Sequence, residues 1–155
     1  MKLAITSAFL LCAMVGTAAA DTFTFESTST TSKMINVATG ASTAAFANFI
    51  EGQSQVKYAS GKTTTTKNEC AAWSTPPGDQ FTTSGVCKFS EGANNEATIT
   101  YTCLADMKTG VGDCWGGLRG VSGSRAGKFG TISWHQTQSP DSATGVAVGT
   151  GMWND

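Results

Sequence analysis

Between Gly116 and Gly130 six glycines fall within fifteen residues. A helix does not tolerate that density, because each glycine in a helix interior costs roughly 1 kcal/mol against alanine. The stretch from Asp113 to Gly130, which runs on into Thr131-Ile132-Ser133-Trp134-His135, therefore reads as two strands and their connection. Low charge, abundant threonine and eighteen glycines carry the same preference through the whole chain, which is expected to be all-β.

Period-two alternation marks the individual strands. Thr22-Phe23-Thr24-Phe25-Glu26 alternates polar and aromatic residues, and Met34-Ile35-Asn36-Val37 forms a second short candidate closed by Thr39-Gly40, with Ser27 to Ser32 either continuing the first strand or looping away. Phe46 to Tyr58 reads as a strand, in which Ile50, Gly52, Ser54, Val56 and Tyr58 oppose Glu51, Gln53, Gln55 and Lys57. The alanines of Ala44-Ala45-Phe46-Ala47-Asn48-Phe49 leave a helical turn open at its start. Lys62 to Glu69 is a threonine-rich strand, and Pro76-Pro77-Gly78 forces the turn after it. Phe81, Thr83, Gly85, Cys87 and Phe89 share one face of the next strand, and Glu91-Gly92-Ala93-Asn94 turns the chain back. Ala97, Ile99, Tyr101 and Cys103 then face inward while Glu96, Thr98, Thr100 and Thr102 face water. Thr131 to Trp134 and Gly145 to Trp153 complete eight or nine short strands, separated near the end by a polar loop containing Pro140. Evenly spaced strands without an amphipathic helix indicate a barrel or a sandwich. Glycine concentrated late in the chain favours an antiparallel closed barrel of about eight strands, since closure needs sharp local bends.

Residues Met1 to Ala20 have the form of a secretory signal: Lys2, an apolar run from Ala8 to Val15, and Ala18-Ala19-Ala20 before Asp21. The run is too short for a membrane span, and Leu11 stands where a small residue would precede a lipidated Cys12. Residues 21–155 then form one domain, exported to the periplasm or the extracellular space and without a membrane span. With Lys2 removed, nine basic residues face eleven acidic ones, a formal charge of −2. Lys57, Lys62 and Lys67 are spaced as solvent-face residues and form no clustered basic patch, so no nucleic-acid partner is expected.

Four cysteines remain after the signal: Cys70, Cys87, Cys103 and Cys114. An even number in an exported domain argues for two disulfides, and three pairings are open. Hairpin geometry favours one. A turn at Pro76-Pro77-Gly78-Asp79 sets partners whose numbers sum to about 157, and a turn near Lys108-Thr109-Gly110 sets partners that sum to about 217. Those registers place Cys70 across from Cys87 and Cys103 across from Cys114, within disulfide reach. None of the four is spaced Cys-x-x-Cys, so no metal is expected.

The segment Gly116-Gly117-Leu118-Arg119-Gly120, followed by Gly123-Ser124-Arg125-Ala126-Gly127-Lys128-Phe129-Gly130-Thr131-Ile132, resembles the Gly-Gly, small-x-x-Ala-Gly and x-Gly strand pair of bacterial allene oxide cyclase-like and dirigent-like β-barrels. Gly149-Thr150-Gly151-Met152-Trp153 is similar to the last strand of such barrels. The resemblance covers about forty of 155 residues. It implies an eight-stranded barrel with an apolar cavity, in a superfamily whose enzymes cyclise or isomerise hydrophobic molecules or guide phenolic coupling. No catalytic residue carries over, and the chain departs from the plant members by its small size and its expected disulfides.

Tyr58, Tyr101, Arg119 and Trp134 are the residues expected to line a ligand cavity, with Trp73, Trp115 and Trp153 as further aromatic candidates or as core filling. Arg119 and Arg125, the two arginines, are each able to clamp a carboxylate or to pair with a local acid such as Asp113. His135, the single histidine, falls on the face opposite Ile132 and Trp134 and so points to solvent or to a rim. No helix follows the glycines to build a phosphate cradle, and no cofactor is expected. The function expected is non-catalytic binding of a small apolar molecule, or a structural role. The alternatives are a barrel isomerase or cyclase, and a surface interaction protein that uses the threonine-rich face of Lys62 to Lys67 and Thr98 to Thr102.

Overall fold

The computed structural model describes residues 20–39, 42–75, 80–106, 108–139, 141 and 143–154. The expected signal segment up to residue 19, Gly40, the turn expected at Pro76-Pro77-Gly78-Asp79 and Pro140 lie outside the described residues.

Eight strands follow one another: β1 (Asp21–Thr39), β2 (Ser42–Tyr58), β3 (Thr63–Ser74), β4 (Thr83–Ser90), β5 (Glu96–Asp106), β6 (Val111–Gly120), β7 (Phe129–Gln138) and β8 (Thr144–Asn154). Each pairs antiparallel with the next, and β8 pairs with β1 through Asp21↔Trp153 to Thr30↔Thr144, which closes the barrel. A single 3-10 turn, Gly123–Arg125, interrupts the β6–β7 connection. We call the end holding Tyr58, Arg125 and Trp153 the lower end, and the end holding Asp106, Lys108 and Ser139 the upper.

Alternation decides what is inside. Along β6, Cys114 and Leu118 are buried while Asp113, Trp115, Gly117 and Arg119 are exposed. Phe23, Phe25, Val56, Ile99, Leu118 and Ile132 belong to one continuous core. Each such side chain, fully buried, contributes about 1.5–3 kcal/mol. The large rings of β1 are accommodated by β8. Phe23 faces Gly151 and Phe25 faces Gly149 across the strand pair, and a Cβ at either glycine would run into the ring opposite. Where sequence reading assigns the late glycines to sharp bends, Gly149 and Gly151 leave room for aromatic rings.

Both disulfides join directly opposed residues. Cys70–Cys87 spans β3 and β4 with Cα atoms 4.0 Å apart, and Cys103–Cys114 spans β5 and β6 at 4.1 Å. This is the pairing that the hairpin registers predict. Disulfides persist in non-reducing compartments, which is where the folded chain belongs.

Two expectations are corrected in the first hairpin. Residues 22–37, which alternation divides into two short candidates, are one strand carrying a bulge. Thr31 pairs with Ile50 and Lys33 with Phe49, so Ser32 is the extra residue. The insertion reverses the face that points inward, from odd positions such as Phe23 and Phe25 to even ones such as Met34. The alanine-rich start of β2, where composition leaves a helical turn open, is extended. Its residues pair with β1, and Phe46 N–H donates to Ser74 Oγ at 3.0 Å, so tertiary pairing overrides alanine's helical preference.

Candidate functional site

The barrel interior is apolar with one polar inset. All eight strands supply apolar side chains to the interior, but β1 to β3 also carry a polar ladder within it. There Asn68 Nδ2 donates to Ser54 Oγ at 2.7 Å and to Ser27 Oγ at 3.2 Å, and Asn68 Oδ1 accepts from Thr66 Oγ1 at 3.1 Å. Ser54, Thr66 and Asn68 are buried, and these mutual bonds are what make their burial tolerable.

The lower end is plugged. Arg125 lies between the rings of Tyr58 and Trp153, its guanidinium carbon 4.9 Å and 5.1 Å from their centroids, and pairs with Asp21 at 2.8 Å. Local bonds aim it there. Glu96 N–H donates to Ser122 Oγ at 3.0 Å, Ser122 Oγ donates to Asn94 O at 3.0 Å, and Ser124 N–H donates to Asn95 Oδ1 at 2.9 Å, which ties the β6–β7 connection onto the β4–β5 turn. Above the plug lies a void of about 70 Å³ among Phe23, Val56, Leu118 and Trp153, and above that a second of about 90 Å³ bordered by Phe25, Ser54, Asn68 and Ile132. Both are far below the 300–1,000 Å³ typical of a drug-sized ligand site.

The upper end is open. A cavity of about 370 Å³ is lined by Met34, Phe46, Asn48, Ile50, Ala72, Tyr101, Cys103 and Ala105, with Asp106, Lys108 and Gln138 at its rim. The rim is held by backbone bonds from Gly110 N–H to Asp106 O and from Gln138 N–H to Gly110 O, and by Lys108 N–H donating to Asp106 Oδ1 at 2.8 Å. At its base Tyr101 stacks edge-on against Trp134, centroids 5.1 Å apart. Tyr101, Ile50, Gln136 and Gln138 border both this mouth and the void beneath it and form the neck between them, with Trp134 packed behind Tyr101 on the side of the void. Burial pushes the Tyr101 phenol up to about 12, so it stays neutral and is available as a hydrogen-bond donor at any physiological pH. A larger depression of about 970 Å³ crosses Thr30, Glu51, Gln53, Lys67 and Thr144, but it is polar, open to solvent and contains no aromatic side chain.

The four residues expected to share a cavity are split. Tyr101 and Trp134 meet at the neck. Tyr58 sits at the opposite end under Arg125, and Arg119 is on the outer wall, opposite Thr98 and Phe129. Alternation alone gives that result, since Cys114 faces inward and Arg119 is an odd number of residues beyond it. Trp73 and Trp115 are also outside, 45% and 46% exposed, with Trp115 packed on Phe81. Trp153 is buried in the lower core. His135 is exposed, as its strand face predicts, and its Nδ1 lies 3.0 Å from Asp113 Oδ1 on the outer wall. Asp113 is thus the partner of His135, and Arg125 takes Asp21 instead.

Asn48, Met34 and Phe46 are mouth residues that sequence reasoning does not single out. Asn48 continues the inward set that contains Ile50, Ser54 and Val56, a visible signal. Met34 faces the mouth only because of the bulge at Ser32, which leaves no mark in the pattern. Among the described residues, no three of His, Cys, Asp and Glu converge as metal ligands, and no helix is long and apolar enough to cross a membrane. No family model matches the chain, nor does any curated protein sequence.

Proposed function

We propose that this is an exported, non-catalytic binding barrel for a small apolar molecule, which enters at the upper end and rests on the Tyr101–Trp134 pair. The observation that carries this reading is the mouth itself. It is the one described cavity that combines ligand-scale volume and an aromatic floor with apolar side chains such as Met34, Phe46 and Ile50 among the polar ones of its wall. The relationship to allene oxide cyclase-like and dirigent-like barrels is part of the same proposal, supported by the closed eight-stranded architecture and by the glycines of β6, β7 and β8.

A cyclase or isomerase is less well supported. The ionisable groups of the mouth, apart from the neutral Tyr101 phenol, are Asp106 and Lys108, both exposed at the rim. Arg119 and His135 are on the outer wall. Surface interaction through the threonine-rich face remains the alternative of another class. Thr98, Thr100 and Thr102 lie on the outward set of β5, with Thr100 exposed, but that face offers no enclosed site.

The test is to incubate the purified mature chain with a mixture of apolar metabolites and to analyse the complex by native mass spectrometry. A one-to-one adduct is expected, lost in an Ala105→Phe variant that fills the mouth. An adduct that survives this substitution, or no adduct at all, would remove the mouth from the account.

A further inference from the structure

Asn48 is 6% exposed, faces the mouth from β2, and stands between Met34 of β1 and Ala72 of β3. Its side-chain carbonyl, Oδ1, is buried and has no hydrogen-bond partner. The contrast with Asn68 on the neighbouring strand is direct: that amide, equally buried, is engaged through both its oxygen and its nitrogen. A buried acceptor left without a donor carries a penalty comparable to a lost hydrogen bond, which a group donating from inside the cavity would recover. Around Asn48 the wall is supplied by Met34, Phe46, Ile50 and Cys103, with Asp106 and Lys108 at the rim. Those four side chains favour an apolar body at the depth of Asn48.

We propose that the mouth selects molecules with an apolar body and an N–H or O–H donor, and that this donor is directed at Asn48 Oδ1. The proposal rests on the binding reading of the mouth and adds the class of ligand to it. Selectivity then comes from one atom. A molecule of the same shape that cannot donate leaves the carbonyl unpaired on binding, and sites of this kind discriminate strongly against analogues that lack the matching polar group.

The test compares 2-naphthol with 2-methoxynaphthalene, which keeps the ring system and removes the donor, by calorimetric titration of the mature chain. Binding of the naphthol about tenfold tighter is expected, the scale of one hydrogen bond to a buried group. In Asn48→Leu the two probes should bind within about twofold of each other, because neither then finds an acceptor. If the leucine variant does not fold, the native chain still reports the contact, through movement of the Asn48 side-chain amide resonances on adding naphthol but not the ether. Equal affinities in the native chain, or tighter binding of the ether, would overturn the donor proposal while leaving the mouth as a binding site. Failure of both probes to bind would overturn both.

Discussion

Tyr101 of β5 meets Trp134 of β7 edge-on, ring centroids 5.1 Å apart and planes at 64°, across the intervening strand β6. Tyr101 lies between a mouth of about 370 Å³ and a void of about 90 Å³, and Trp134 lines the void. Nothing in the linear sequence puts these two rings together. The antiparallel registers of β5 with β6 and of β6 with β7 do so, by setting Tyr101 against Gly116 and Trp134 against Cys114.

Burial of Tyr101 has a consequence at high pH. Its phenol is pushed up to about 12 from an ordinary value of 10.0. Between those values the unfolded chain has released the proton and the folded chain has kept it, so stability falls as pH rises from 10 towards 12. The loss should reach about 3 kcal/mol, two pKa units at about 1.4 kcal/mol each. Denaturant melts across this range should show the decline, and Tyr101→Phe should remove that component of it.

The two disulfides should differ in accessibility. Cys103 and Cys114 are each 1% exposed, whereas Cys70 is only partly buried. Mild reductant acting on the folded protein is expected to open Cys70–Cys87 first, as followed by alkylation and peptide mapping. Replacing Cys103 and Cys114 by serine should cost about 3 kcal/mol in denaturant unfolding, from the loop they close in the unfolded chain. A peptide linking Cys70 to Cys103 or Cys114 would contradict the assigned pairing.

Arg125 closes the lower end by stacking on two rings while holding Asp21. Arg125→Ala should destabilise the barrel by about 1–2 kcal/mol, the combined scale of a partly buried ion pair and cation–π contact. Arg125→Lys should restore less than half of this, because an ammonium cannot lie flat between two aromatic faces. Urea midpoints of the three proteins provide the measurement.

Glycine substitutions separate shape from mere composition. At Gly151 a new Cβ would strike the Phe23 ring, and Gly151→Ala should cost about 1–3 kcal/mol by overpacking. At Gly117, on the outer wall, a Cβ meets nothing within 4 Å. Gly117→Ala should be neutral, or stabilising by about 0.5 kcal/mol through reduced freedom of the unfolded chain. Thermal melts of both variants distinguish the two roles.

Much of the fold is legible in the chain because period two is a strong signal when one face is buried. Ala97, Ile99, Tyr101 and Cys103 mark β5, and the hairpin sums set Cys70 against Cys87 and Cys103 against Cys114. The site is less legible. An arginine among glycines suggests a clamp and so draws Arg119 towards the cavity, although the strand's own alternation sends it outward. Met34 enters the mouth through a bulge at Ser32, a residue with no composition that marks it as an insertion. Asn48 has a readable face, but its unpaired carbonyl depends on what three neighbouring strands place around it.

The central claim is that the mouth above Tyr101 and Trp134 is a ligand site, and chemical-shift mapping tests it most directly. On titrating 2-naphthol into isotopically labelled mature protein, the amides of Asn48, Ala72, Tyr101 and Ala105 should shift to a single one-to-one saturation. Those of Tyr58, Leu118 and Trp153 at the lower end should stay in place. Shifts confined to the outer wall around Thr98 and Thr100, or none at saturating probe, would contradict it.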